Sequence, residues 1–179
     1  MKRDYKVFTT VICALLIAVQ IILSRFLSIS TPLVKIGFDF APMALAGMLF
    51  GPWWGCAVGV LADFIGANLF PIGPYFPGFT LVAGLCGMTY GLLLRSRDGS
   101  LLQGRTSRVR LLIAVLVVTV PLQLGLDTFW MTLLYGKGYL YYLSTRVVKT
   151  CVMIPVQLMT IPALAALIRP VWRRMGSGV

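Results

Sequence analysis

Long stretches of this chain carry almost nothing that water can hydrate, and that feature decides most of what it can fold into. A helix needs about 20 apolar residues to cross the hydrocarbon core of a bilayer. Residues 7–27, 53–70, 77–94, 111–135 and 147–168 read as five such spans. A sixth, 40–50, is too short to cross comfortably. It meets the third span at Phe50-Gly51-Pro52-Trp53, where Gly-Pro punctuation predicts a tight helical hairpin. Short or Gly/Pro-interrupted spans point toward transporter-like architecture. Only 12% of the 179 residues are charged, whereas a soluble domain carries roughly a quarter. The expected fold is therefore all-α: one polytopic membrane domain, residues 1–179, with six transmembrane helices. No polar linker, low-complexity segment or repeat divides it.

The net charge of +11 raises the question of nucleic acid, but the basic residues do not form one solvated face. They cluster between apolar runs: Lys2, Arg3 and Lys6; then Arg95, Arg97, Arg105, Arg108 and Arg110; then Arg169, Arg173 and Arg174. These segments fall on one side only if there are six spans, and the positive-inside rule then places both termini in the cytoplasm. A cleaved signal peptide is disfavoured, because the first apolar stretch is too long and no small-x-small site follows it. Cys13, Cys56, Cys86 and Cys151 sit in apolar runs without CxxC spacing and read as packing residues. No metal or cofactor site is expected. Histidine and glutamate are absent and no nucleophile–base pair is recognisable, so no catalytic residue is expected either.

The remaining charges converge on the opposite face. Arg25, Lys35, Lys137, Arg146 and Lys149 lie at outer span ends or in outer loops, and Asp39, Asp63 and Asp127 lie in the outer half of the membrane. Ionisable residues in a span are expensive and mark a functional site or its counter-ions. Asp39 precedes Phe40-Ala41-Pro42 and reads either as a helix cap or as a site residue. Arg25 either snorkels to the headgroups or enters the site. Asp63 and Asp127 reach no helix end; they bind a ligand or pair with Arg25, Arg146 or Lys149. Arg146, Lys149, Met153 and Gln157 share one helix face by spacing, as do Asp127, Trp130 and Met131. In the third span, Gly59 and Gly66 flank Asp63 and admit close neighbours. Cations, carboxylates and aromatics together suit a flat, nitrogen-rich, anionic ligand.

The outer connection from Phe70 to Leu81 is stiffened by Pro71, Pro74 and Pro77 and turned by Gly73 and Gly78. Its aromatics suit either a lid or an interfacial anchor. The run Gly73-Pro-Tyr-Phe-Pro-Gly-Phe-Thr-Leu81 resembles that of the folate-specific substrate-binding subunits of energy-coupling factor (ECF) vitamin transporters. Lys35-Ile-Gly-Phe-Asp-Phe-Ala-Pro42, Leu45-Ala-Gly47, Gly51-Pro-Trp-Trp-Gly55, Ala62-Asp63 and Met153-Ile-Pro-Val-Gln157 are similar too. The likeness covers nearly the whole chain.

The resemblance implies a bacterial cell-membrane protein with six helices, cytoplasmic termini and a folate pocket open to the outside. It implies that Ala14 and Ala18, an AxxxA pattern in the first helix, meet an EcfT-type coupling subunit. No phosphate-loop motif occurs in the chain, so ATP hydrolysis would fall to partner proteins, by resemblance two ABC ATPases. Loop one (28–36) and the Pro/Gly loop (71–77) would close over folate. Asp63 or Asp127 would pair with the aminopyrimidine edge of the pterin, Arg146, Lys149 or Arg25 would hold the glutamate tail, and Lys35 belongs to the same site. Phe38, Tyr75, Phe79 and Trp130 are the expected ring stackers. Rival readings are another vitamin (riboflavin, thiamin or a pyrimidine precursor), an ion-coupled carrier using Asp63 and Asp127, and a membrane enzyme.

Overall fold

The computed structural model describes the chain apart from residues 1, 31–34, 72, 96–104, 137 and 177–179. At 2–5, 29–30, 35–36, 105 and 171–176 only the backbone is described. The described residues are nearly all helical: α1 (Lys2–Arg25), α2 (Phe40–Phe50), α3 (Pro52–Leu69), α4 (Pro77–Leu94), α5 (Arg105–Val117), α6 (Asp127–Tyr135) and α7 (Tyr139–Gly176). A π-helical segment, Val118–Leu126, joins α5 to α6. Loop one adds a departure from the all-helical expectation, a two-residue antiparallel ribbon in which β1 (Ile29–Ser30) pairs with β2 (Lys35–Ile36).

Four helical stretches are long and apolar enough to cross a membrane: Lys6–Arg25, Pro77–Leu94, Thr106–Tyr135 and Tyr139–Pro170. The chain is a polytopic helical membrane protein. α3 has a spanning length of 18 residues but carries Asp63 and Asn68. α5 begins ahead of its apolar run and α7 extends beyond its run at both ends, since basic and aromatic residues lower hydropathy without breaking a helix. Three prolines, Pro155, Pro162 and Pro170, lie inside α7.

The core forms around α2, which has 11 residues and buries ten of them. At 1.5 Å per residue it covers about 16 Å, roughly half the hydrocarbon thickness. It touches α1, α3, α4 and α7. Missing side chains make this crowding possible. A methyl group on Gly47 would sit 2.7 Å from the Gly91 backbone nitrogen, and Gly55 meets the Gly87 carbonyl directly. Close backbone approach of this kind holds membrane helices together where no hydrophobic force acts between them. The α2–α3 turn depends on Gly51, whose φ of +106° is open to glycine and strained for other residues.

The lengths of α2 and α3 shape the opposite end. α3 rises about 27 Å from the shared turn, so its far end stands roughly 10 Å above the start of α2.

Candidate functional site

Two carboxylates stand in the helices, each with its own partners. On α3, Asp63 Oδ2 accepts a 2.7 Å hydrogen bond from the buried Thr80 hydroxyl in the first turn of α4. Tyr75 Oη lies 3.2 Å from the same Thr80 oxygen. The Tyr75 ring also meets Phe64 edge-on, with centroids 5.9 Å apart. The Pro/Gly loop is thus tied to α3 and α4 by a polar and an aromatic contact.

On α6, Asp127 faces Arg146 of α7 at 3.7 Å, with side chains 19% and 13% exposed respectively. Arg146 Nη1 also donates to the Gln123 carbonyl of the π segment at 3.3 Å. Lys149, Asp63 and Asp39 all lie within electrostatic reach of Asp127. Five of the ionisable residues singled out from sequence therefore share one field.

Arg25, at the end of α1, lies over Gly66; a methyl there would approach its Nε to 3.1 Å. Gly66 is one helical turn beyond Asp63, so the small residue lets a guanidinium reach the site. Gly59, one turn the other way, packs instead on the Ala83 backbone of α4. The two glycines divide ligand access from helix contact.

Trp130 projects from α6 over Gly78, with Phe76 alongside at 5.4 Å and Phe129 at 5.1 Å. Phe79 meets Phe76 at 6.1 Å. Tyr75, Phe79 and Trp130 thus gather around the Pro/Gly loop. Phe38 stands apart, half exposed and tilted against Phe40. The Lys35 side chain and residue 137 lie outside the described residues. Ala14 and Ala18 are exposed on α1, away from the site.

Several buried polar atoms here have no hydrogen-bond partner: Arg25 Nε, Arg146 Nε, Trp130 Nε1 and Thr128 Oγ1. Three are N–H donors. Leaving such groups unmade costs free energy, so the arrangement suits a ligand rich in acceptors. No group of residues suited to a metal ion occurs among the described residues.

Asp39 takes the N-cap position of α2 without making a side-chain cap bond. The reason is local. Its own φ and ψ are already helical (−61°, −20°), Pro42 has no N–H, and the Ala41 N–H goes to the Phe38 carbonyl. A cap residue needs extended backbone and free N–H groups ahead of it. Sequence reasoning gave no role to Thr80, Phe76 and the Gln123 carbonyl. Thr80 was visible as the hydroxyl closing the Gly-Phe-Thr run, and Pro121 as a proline inside a span.

Known proteins resemble this chain in sequence and in fold. The model of the family "ECF transporter, substrate-specific component" matches residues 8–165. A folate transporter FolT of Clostridium novyi (strain NT) is 38% identical over 156 residues, 87% of each chain. The FolT of Leuconostoc mesenteroides subsp. mesenteroides is 30% identical, covering 87% of this chain and 82% of its own. Among solved structures, FolT bound with folic acid superposes with a TM-score of 0.78 at 34% identity, over 88% of this chain and 92% of that one. A bacterial ECF transporter S component, 21% identical, shares the fold with a TM-score of 0.59, over 96% of this chain and 97% of that one.

Proposed function

Since this chain belongs to the family of substrate-specific components of ECF transporters, we propose that it captures folate outside the cell for uptake. The carrying observation is its likeness to FolT bound with folic acid, at 34% identity over most of both chains. It is a multi-pass protein of the bacterial cell membrane. With α2 and α3 counted as membrane-embedded, the helices make six passes, and the basic segments set both termini in the cytoplasm. It acts as a binding subunit and catalyses no reaction.

Folate is flat, rich in ring nitrogens and anionic at its tail. Asp63 takes the aminopyrimidine edge. Its one hydrogen bond among the described residues comes from a neutral hydroxyl, that of Thr80, which leaves its charge for N–H donors, whereas Asp127 is already balanced by Arg146. Arg25 and Lys149 hold the glutamate carboxylates, with Lys35 in loop one as a further cation. Arg146 pairs with Asp127 and holds it in place. Tyr75, Phe79, Trp130 and Phe38 supply ring surfaces.

For energy the chain docks through the Ala14–Ala18 face of α1 on an EcfT-type coupling subunit served by two ABC ATPases. Both alanines are solvent- or lipid-facing and leave a shallow strip between exposed Val11, Leu15, Val19 and Ile22.

The test is titration of the purified, detergent-solubilised chain with folic acid, with riboflavin and thiamin as controls. Tight one-to-one binding of folic acid alone is expected. Binding of riboflavin or thiamin, or of nothing by folded protein, overturns the assignment.

A further inference from the structure

The hydroxyl of Thr80 occupies an unusual place: buried, between the Asp63 carboxylate on α3 and the Tyr75 phenol in the Pro/Gly loop. A threonine hydroxyl has one proton to give. At 2.7 Å from Asp63 Oδ2 that proton serves the charged acceptor, because bonds to ionised groups are the stronger ones. The 3.2 Å contact with Tyr75 can then form only if Tyr75 donates to a Thr80 lone pair. Direction therefore runs one way, from the loop phenol to Thr80 and from Thr80 to Asp63.

We propose that Thr80 is a positioning residue for substrate recognition, holding Asp63 in one orientation and linking that orientation to the seat of the Tyr75 loop. The proposal rests on the folate reading above, in which Asp63 meets the aminopyrimidine edge. A carboxylate on a free side chain samples several χ2 values. One fixed at Oδ2 presents Oδ1 and the remaining Oδ2 lone pair in a set plane, as paired recognition of two adjacent N–H groups requires. Asp63 makes no further hydrogen bond among the described residues. The Tyr75 proton is committed inward, so Tyr75 serves a ligand through its ring and not as a hydrogen-bond donor. Phe64 backs that ring from the α3 side.

The chain predicts graded behaviour. Thr80→Val keeps shape and removes the hydroxyl; Thr80→Ser keeps the hydroxyl; Tyr75→Phe keeps the ring and removes only the proton. Each purified full-length variant is titrated with folic acid and with 2-desamino-folic acid, which lacks one of the two groups assigned to Asp63. Expected for Thr80→Val is a roughly ten- to hundred-fold loss of folic acid affinity, the range for a hydrogen bond to a charged group. The same variant should lose under about three-fold for the desamino analogue. Thr80→Ser should restore folic acid binding to within about three-fold, and Tyr75→Phe should lose a smaller factor than Thr80→Val for folic acid and less still for the desamino analogue, so that discrimination between the two ligands falls.

Equal losses for both ligands, or no loss for either, overturn the positioning role while leaving folate binding intact. If Thr80→Val does not fold, Tyr75→Phe decides: reduced discrimination between the ligands supports the proposal, and unchanged discrimination overturns it. Absence of folic acid binding by the unaltered chain removes both the folate reading and the proposal built on it.

Discussion

The Asp127–Arg146 pair allows a sharp test of how the site is held. At 3.7 Å, with the effective dielectric of about 20 that suits such groups, two unit charges attract by roughly 4–5 kcal/mol. Arg146→Met keeps much of the length and apolar stem but leaves the Asp127 carboxylate without its partner. Breaking a buried pair from one side costs about 3–5 kcal/mol, because the surviving charge stays desolvated. For a chain of this size that corresponds to a fall in melting temperature on the order of 10 °C. Asp127→Asn should cost a comparable amount, since Arg146 keeps only its bond to the Gln123 carbonyl. The informative variant is the double one. With both charges gone there is little left to desolvate, and the double variant should be clearly more stable than the sum of the single losses allows. The assay is thermal unfolding in detergent without ligand, followed by tryptophan fluorescence, since Trp130 lies one turn from Asp127. Additive losses across the cycle would show that the two side chains do not interact, and the division of labour between Asp63 and Asp127 would lose its basis.

Three further outcomes follow from the same structure. Gly51→Ala should lower stability by about 1–3 kcal/mol, read as thermal unfolding, because alanine is strained at a φ of +106°. Arg25→Ala and Lys149→Ala should each weaken folic acid binding by at least about ten-fold, yet leave binding of pteroic acid, which lacks the glutamate tail, nearly unchanged in the same titration. Ala14→Trp should leave folic acid binding intact and abolish uptake by vesicles containing the coupling subunit and ATPases; loss of binding as well would point to misfolding.

Much of the fold was legible because its determinants are local. Apolar runs, Gly51-Pro52 and the clustering of arginines are all read along the chain without knowing what touches what. The convergence of Asp63, Asp127, Arg146 and Lys149 was legible for a related reason: charges in apolar helices have few places to go. The Asp63–Thr80 bond was not, since it joins two helices whose rotation about their own axes sequence does not fix. The π segment was half visible. Pro121 would clash with the carbonyl four residues earlier in a regular helix, and a widened turn relieves this, but sequence does not say whether such a helix kinks, breaks or widens. Asp39 shows the converse error. Its type and place suggested a cap, while Pro42, three residues on and lacking an N–H, was already evidence against one.

The shortness of α2 also bears on how the chain enters the membrane as it is made. Eleven residues are too few to span, so α2 has no transmembrane resting place of its own as it leaves the ribosome. It must wait for α3 and go in with it as a hairpin, which makes the Gly51 turn an early event in synthesis. A lesion in that turn, or in the glycine faces that later seat α4 against the hairpin, would therefore be felt first as chains that fail insertion and are degraded. Cells would register it as low abundance long before any purified protein could be tested for weak binding.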